Sequence, residues 1–125
     1  MTTWEVHKYV RAGGRCPLDD WLAGNGVTSG DEARLDAKVQ TIERTAGTLP
    51  PEVLKHYKGT RLYELKVRAQ GKQLRPLCWI LEEKKIIILC GAFERDGKIP
   101  KRVLDSADDL LKDFLEGRGY AQRYF

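Results

Sequence analysis

Apolar and polar residues alternate near the start of the chain, in Trp4-Glu5-Val6-His7-Lys8-Tyr9-Val10. Side chains of a strand point to opposite faces in turn, so this pattern predicts a half-buried strand. Gly13-Gly14 breaks it. Cys16 to Leu22 then predicts a short helix with Pro17 in its first turn, where the missing N–H costs nothing, and Gly24-Asn25-Gly26 ends it. The period changes after that. Leu35, Val39, Ile42 and Ala46 recur at helical intervals and make one apolar stripe. Ser29 and Glu32 have the spacing of a capping box at the start of this helix. Gly47 supplies a stop, and Pro50-Pro51 prevents a restart. Lys55 to Gly59 reads as a polar connector.

Three strands are predicted next. Tyr63, Leu65 and Val67 alternate with Glu64, Lys66 and Arg68, giving one apolar and one charged face. Ala69-Gln70-Gly71-Lys72 is a hairpin loop, with Gly71 available for positive φ. Gln73 to Leu81 is the second strand. Pro76 lies within it and cannot donate to a ladder, so a bulge is expected there. After the Glu82-Glu83-Lys84-Lys85 turn, Ile86 to Phe93 is apolar throughout and predicts a central strand covered on both faces. A last helix begins near Pro100, with Val103, Ala107, Leu110 and Phe114 as its stripe and Gly117 as its stop. The order is β-α-α-β-β-β-α. It predicts an α+β fold in which helices pack on one face of a small, mostly antiparallel sheet. Residues 1–125 are expected to form a single domain, with 118–125 as an aromatic tail free to pack back on it.

Charge changes the picture more than overall composition does. Residues 55–102 hold 13 basic and 5 acidic groups, whereas residues 1–54 hold 6 and 8, and residues 103–125 hold 3 and 5. The positive excess is confined to the middle of the chain, so a polyanion is the natural partner, with a solvated charged surface as the plain alternative. No apolar run approaches the ~18–20 residues of a membrane helix. The first residues have no basic stretch followed by an apolar one, so no signal peptide is expected and the cytoplasm is the expected location. Cys16, Cys78 and Cys90 contain no CxxC pair, which argues against zinc. Cys78 and Cys90 lie in apolar runs and are read as core thiols.

Common catalytic motifs are missing. His7 and His56 are far apart, and no GxSxG, HExxH or P-loop occurs. No acidic pair has metal-ligand spacing, so neither metal nor cofactor is expected. What remains is a set of cations on adjoining strands. Lys66 and Arg68 share one strand face, Arg75 lies across the hairpin loop, and Arg95, Lys98 and Lys101 follow the third strand. Gathered on one phosphate, such groups suit RNA cleavage by internal 2′-OH attack. The phosphorane formed there carries more negative charge than the ground state, and fixed cations act mainly on that difference. A lysine among cations can also have its pKa lowered and serve as a general base. The competing reading is cross-strand charge pairing, with Glu64 as the partner.

Lys58-Gly59-Thr60-Arg61-Leu62-Tyr63-Glu64-Leu65-Lys66-Val67-Arg68 resembles the K-G-x-x-L-Y-E-L-R segment of RelE/ParE superfamily toxins, in particular their HigB-like, phage-related branch. Arg75-Pro76-Leu77-Cys78-Trp79 resembles the arginine-led strand that follows it. Leu89-Cys90-Gly91-Ala92-Phe93 resembles the family's strand end. Lys98-Ile99-Pro100-Lys101-Arg102, with Ala107 beyond, resembles its last helix start. The resemblance implies a RelE-like fold and the toxin of a type II toxin–antitoxin pair. It implies a metal-independent endoribonuclease, an mRNA interferase that inhibits translation by cutting mRNA on the ribosome. A cognate antitoxin of helix-turn-helix type is the expected partner, besides ribosome and mRNA. It assigns catalysis to Lys66, Arg68, Arg75 and Arg95, and RNA binding to Lys58, Arg61, Lys98 and Lys101. Two positions depart from the pattern. Glu64 stands where the most active ribonucleases are basic, and no Tyr or His follows Phe93. Arg95 or Lys98 would have to substitute, or Tyr120 or Tyr124 swing in. Two other readings stay open: a ParE-like gyrase inhibitor with no chemistry of its own, and a non-catalytic RNA-binding module.

Overall fold

The computed structural model describes residues 2–24 and 26–125. Asn25, in the expected stop after the first helix, lies outside them. The elements are β1 (Glu5–Val10), α1 (Pro17–Leu22), α2 (Ser29–Glu43), β2 (Leu54–His56), β3 (Tyr63–Leu65), β4 (Val67–Ala69), β5 (Lys72–Leu74), β6 (Leu77–Glu82), β7 (Lys85–Cys90), β8 (Phe93–Glu94), α3 (Lys101–Leu115) and β9 (Tyr120–Arg123). They make a six-stranded sheet in the order β2-β3-β6-β7-β1-β9 and a three-stranded sheet in the order β4-β5-β8. All pairs are antiparallel except β1 with β7. The fold is the expected mostly antiparallel α+β arrangement.

The apolar run of β7 is central, as its pattern requires. Ile86, Ile87, Ile88 and Leu89 are all fully buried, each worth about 1.5–3 kcal/mol of transfer free energy. Alternate residues serve two cores. Ile86 and Ile88 join Leu18, Leu35, Val39 and Ile42 from α1 and α2. Ile87 and Leu89 join Ala107, Leu110 and Leu111 from α3. Helices therefore cover both faces of the larger sheet, not one. The apolar run itself carries the reason, since a strand with both faces apolar needs cover on both.

Three further local expectations need correction. The capping box of α2 is Thr28 with Asp31, one residue before the expected pair. Asp31 is 3% exposed because it also receives Lys72 Nζ at 2.8 Å from β5, which Glu32 on the solvent side cannot do. That helix ends at Glu43, before Ala46 and Gly47. The Gly47 carbonyl instead accepts from Trp4 Nε1 at 2.8 Å. The supposed connector at Lys55 holds a strand, β2, on the sheet edge. The tail does pack back on the domain, by pairing with β1 through β9. Gly119 permits this turn: at φ 77° a Cβ would sit 2.3 Å from the Val10 carbonyl oxygen. The Tyr9 hydroxyl donates to the Arg118 carbonyl at 2.8 Å and ties the tail down.

Candidate nucleic-acid interface

Each of the three predicted strands breaks in two, and the breaks build the site. The first leaves the large sheet at Lys66, the second enters it at Arg75-Pro76, and the third leaves at Gly91-Ala92. Pro76 has no N–H to offer the ladder, so the strand is interrupted where the sequence placed an irregularity. Its carbonyl accepts from Leu65 N at 2.9 Å, while Arg75 N donates to the Ala92 carbonyl at 2.8 Å. These bonds stack the crossovers side by side. The β4–β5 hairpin projects beyond them, closed by Gln70 and Gly71 at φ 42° and 79°, the backbone of a type I′ turn. Val67, Ala69 and Leu74 face the core. Arg68, Gln73 and Glu94 lie in one register row on the opposite face.

Lys66, Arg68, Gln73 and Arg75 line one cleft of about 390 Å³, joined by Lys38 from α2 and by Glu52. Among the described residues, Lys66 and Arg68 make no ion pair within 4 Å. Arg75 differs. It is 7% exposed, and its guanidinium donates to the Leu74 carbonyl and to Gln73 Oε1, both at 2.9 Å. Its Nε lies 3.6 Å from Glu94 Oε1 and 4.0 Å from Glu64 Oε1. Glu64 is 6% exposed, and burial pushes its carboxyl above the usual range despite the opposing pull of Arg75 and Lys66. Arg75 Nε and Glu64 Oε2 are both buried without a hydrogen-bond partner. Arg75 thus reaches the charged face but is buried there, held between two carboxylates rather than free at the surface. The pairing of cations with Glu64 is real, but it engages Arg75 and spares Lys66.

The remaining basic residues scatter. Arg95 and Lys98 flank the Asp96-Gly97 turn, exchanging backbone hydrogen bonds of 2.8 and 2.9 Å. Arg95 borders a different cleft, beside Lys72 and Phe93. Arg61 Nε is 2.7 Å from Asp108 on α3, and Lys101 Nζ is 2.9 Å from Asp105. Arg61 and both aspartates border a cleft of about 590 Å³ whose acidic lining does not suit a nucleic acid. Lys58 lies near Lys66, in a neighbouring cleft that also contains Lys55 and Glu64. Neither late tyrosine reaches this region. Tyr120 is on β9, at the opposite edge of the large sheet from β2 and β3. The Tyr124 hydroxyl is held by Asp36 at 2.6 Å, and its pKa is raised by burial and by that carboxylate.

Sequence reasoning missed Lys38, Lys55 and Glu94, and gave Glu64 only a pairing role. Lys55 was discoverable in principle, since it pairs with Glu64 once β2 is recognised as a strand. Lys38 belongs to a helix whose packing on β4 no local pattern shows. Among the described residues, no three His, Cys, Asp or Glu side chains gather as a metal site. The three thiols are free, and burial pushes the Cys90 thiol up to about 12. No helix among these residues is long and apolar enough to cross a membrane.

A small, mostly antiparallel sheet covered by helices on both faces thus carries a cation-lined cleft where its strands cross over. Residues 28–112 match the family described as phage derived protein Gp49-like (DUF891). The chain belongs to this Gp49-like family, which is part of the RelE/ParE-like toxin superfamily. No curated protein and no solved structure gives a significant match.

Proposed function

We propose that this protein is the toxin of a type II toxin–antitoxin pair and acts as a metal-independent endoribonuclease on ribosome-bound mRNA. The observation that supports this most is the pair Lys66 and Arg68, which line one cleft with the buried Arg75 and, among the described residues, make no ion pair. A scissile phosphate there meets two uncommitted donors. As the 2′-oxygen attacks and the phosphorane forms, both strengthen their bonds to it, and the low-dielectric floor amplifies the effect. Arg75 offsets the charge of Glu64 and Glu94 beneath the cleft and holds Gln73 in its wall. Arg95 and Lys98, on the turn after β8, bind a neighbouring stretch of the RNA, while Arg61 and Lys101 pair with Asp108 and Asp105. The antitoxin, of helix-turn-helix type, covers the basic face with an acidic segment.

The test is induced expression in a bacterium, with mapping of mRNA 5′ ends. The expected result is growth arrest within minutes and new ends inside coding regions, both abolished by Lys66→Ala or Arg68→Ala. The distance of Tyr120 and Tyr124 from the cleft favours a second reading, a ParE-like gyrase inhibitor without nuclease activity. That reading expects arrest with intact mRNA and loss of DNA supercoiling.

A further inference from the structure

Lys66 stands between two clefts of nearly equal size. One is the Arg68 cleft already described. The other, about 380 Å³, is lined by Lys55, Tyr57, Lys58, Glu64, Lys66 and Glu94. Its volume lies within the range of small-ligand sites. Lys55 is the cross-strand partner of Glu64, so the two side chains project from the same face of the sheet. Among the described residues, Lys55, Lys58 and Lys66 make no ion pair within 4 Å. Glu64 is buried beneath them with Oε2 lacking a donor, and the Glu94 side chain is 25% exposed.

This combination narrows the ligand. Three lysines outnumber the two carboxylates of the lining, and Arg75 beneath lies between those carboxylates, so the cleft attracts an anion. Glu64 Oε2 lacks a hydrogen-bond donor, and Glu94 offers a partly exposed acceptor at the same cleft. An acidic peptide would satisfy the lysines but press carboxylates against Glu64 and Glu94. A nucleotide satisfies both, with its phosphate on the lysines and a base amino group on a carboxylate. We infer that this second cleft is a base-selective subsite for the nucleotide next to the scissile phosphate. Lys55 and Lys58 hold the adjoining phosphate, and Glu94, backed by Glu64, accepts from the exocyclic amino group of adenine, cytosine or guanine. Uracil is disfavoured because both its exocyclic groups are carbonyl oxygens.

The inference takes its substrate from the ribonuclease reading, but binding tests it separately. Fluorescein-labelled 2′-O-methyl hexamers of A, C and U, which resist internal 2′-OH attack, would be titrated against the purified full-length chain. The expected result is A and C binding about tenfold tighter than U, the worth of one such contact. A Lys55→Ala/Lys58→Ala double variant should weaken all three and make the log–log salt slope shallower by about 1.4, at roughly 0.7 per phosphate contact on a single strand. Glu94→Gln, able to donate as well as accept, should erase the preference against U. Equal affinity for the three hexamers, or unchanged binding by the lysine double variant, would overturn the inference. So would a poly-glutamate peptide binding more tightly than any hexamer, which would assign the cleft to a protein. If the hexamers bind as expected but expression causes no arrest, the ribonuclease reading fails alone. If wild type arrests growth and the lysine variant binds RNA unchanged, the subsite fails alone.

Discussion

Substituting Arg75 by alanine leaves Glu64 buried and facing Glu94 with no cation between them. Removing one partner from a buried ion pair costs about 3–5 kcal/mol. Arg75→Ala is therefore expected to lower the melting temperature by on the order of 10 °C or more, read by circular dichroism. A loss of toxicity in that variant would not separate chemistry from folding. Lys66→Ala and Arg68→Ala are the clean variants. Each should change stability by less than ~0.5 kcal/mol. A donor to the phosphorane is worth about 2.7–4 kcal/mol, or ~10²–10³ in rate. Full growth arrest by both, at matched soluble levels, would move the site elsewhere. Two carboxyls should also give pH slopes of opposite sign. Asp31 is held below the usual range, first by its bond from Lys72 and then by the Thr28 backbone. Its contribution is present above the ordinary carboxylate range and is lost as pH falls through its lowered value. Glu64 is held above the usual range by burial. Its contribution is full below the ordinary range and is lost as pH rises through its raised value. Melting temperatures across pH for Asp31→Asn and Glu64→Gln should each lack one slope. Retention of both slopes in either variant would discount that assignment.

At the scale of elements, the tail is the part whose importance was least visible. β9 covers the edge of β1, and Arg118 O satisfies the buried end of Tyr9. Truncation after Gly117 should remove those ladder bonds, strand the Tyr9 hydroxyl and expose the β1 edge. The expected loss is on the order of 3 kcal/mol or more, read as a lower urea midpoint. An unchanged midpoint would reduce β9 to a surface decoration. The β4–β5 hairpin depends on a different contact. Lys72 Nζ bridges Asp31 at 2.8 Å and the Gly26 carbonyl at 2.9 Å, fastening the strand pair that presents Arg68 to the start of α2. Strand breaks matter as much as strands here, because Lys66 and Arg75 sit where the chain passes between sheets.

At the scale of the molecule, the basic middle of the chain becomes the β2–β8 region, while α3 presents Asp105, Asp108, Asp109 and Asp113. Part of the basic excess is cancelled by α3 through Arg61 and Lys101. What remains uncommitted is concentrated around Lys66. An antitoxin that covers this region should bind less tightly as salt rises, since exposed charges are screened over ~10 Å at 0.1 M. Salt-independent affinity, measured by calorimetry, would place the contact on an apolar surface instead. Cleavage on assembled ribosomes should survive EDTA. Loss of cleavage that zinc or manganese specifically restores would overturn the cation-only mechanism.

Local pattern by itself determined a good deal. The central β7, the stripes of α2 and α3, the hairpin at Gln70-Gly71 and the irregularity at Pro76 all follow from periodicity and backbone chemistry. Those forces act within a few residues and leave their mark in the sequence. The family resemblance over Lys58 to Ala107 was legible for the same reason, as motifs in order. Only the tertiary structure decided which charges remain free. Lys66, Arg68 and Arg75 look alike as a pattern and line one cleft, yet among the described residues only Arg75 of the three is ion-paired, between Glu64 and Glu94. Arg61 and Lys101 look as available as Lys58 but are paired with α3. β2 and β9 are too short to signal themselves and exist because an edge of the sheet receives them. The Arg61–Asp108 pair and the β1–β9 edge join residues distant in the chain, and no local window contains both partners, whereas Lys101 and Asp105 are one helical turn apart.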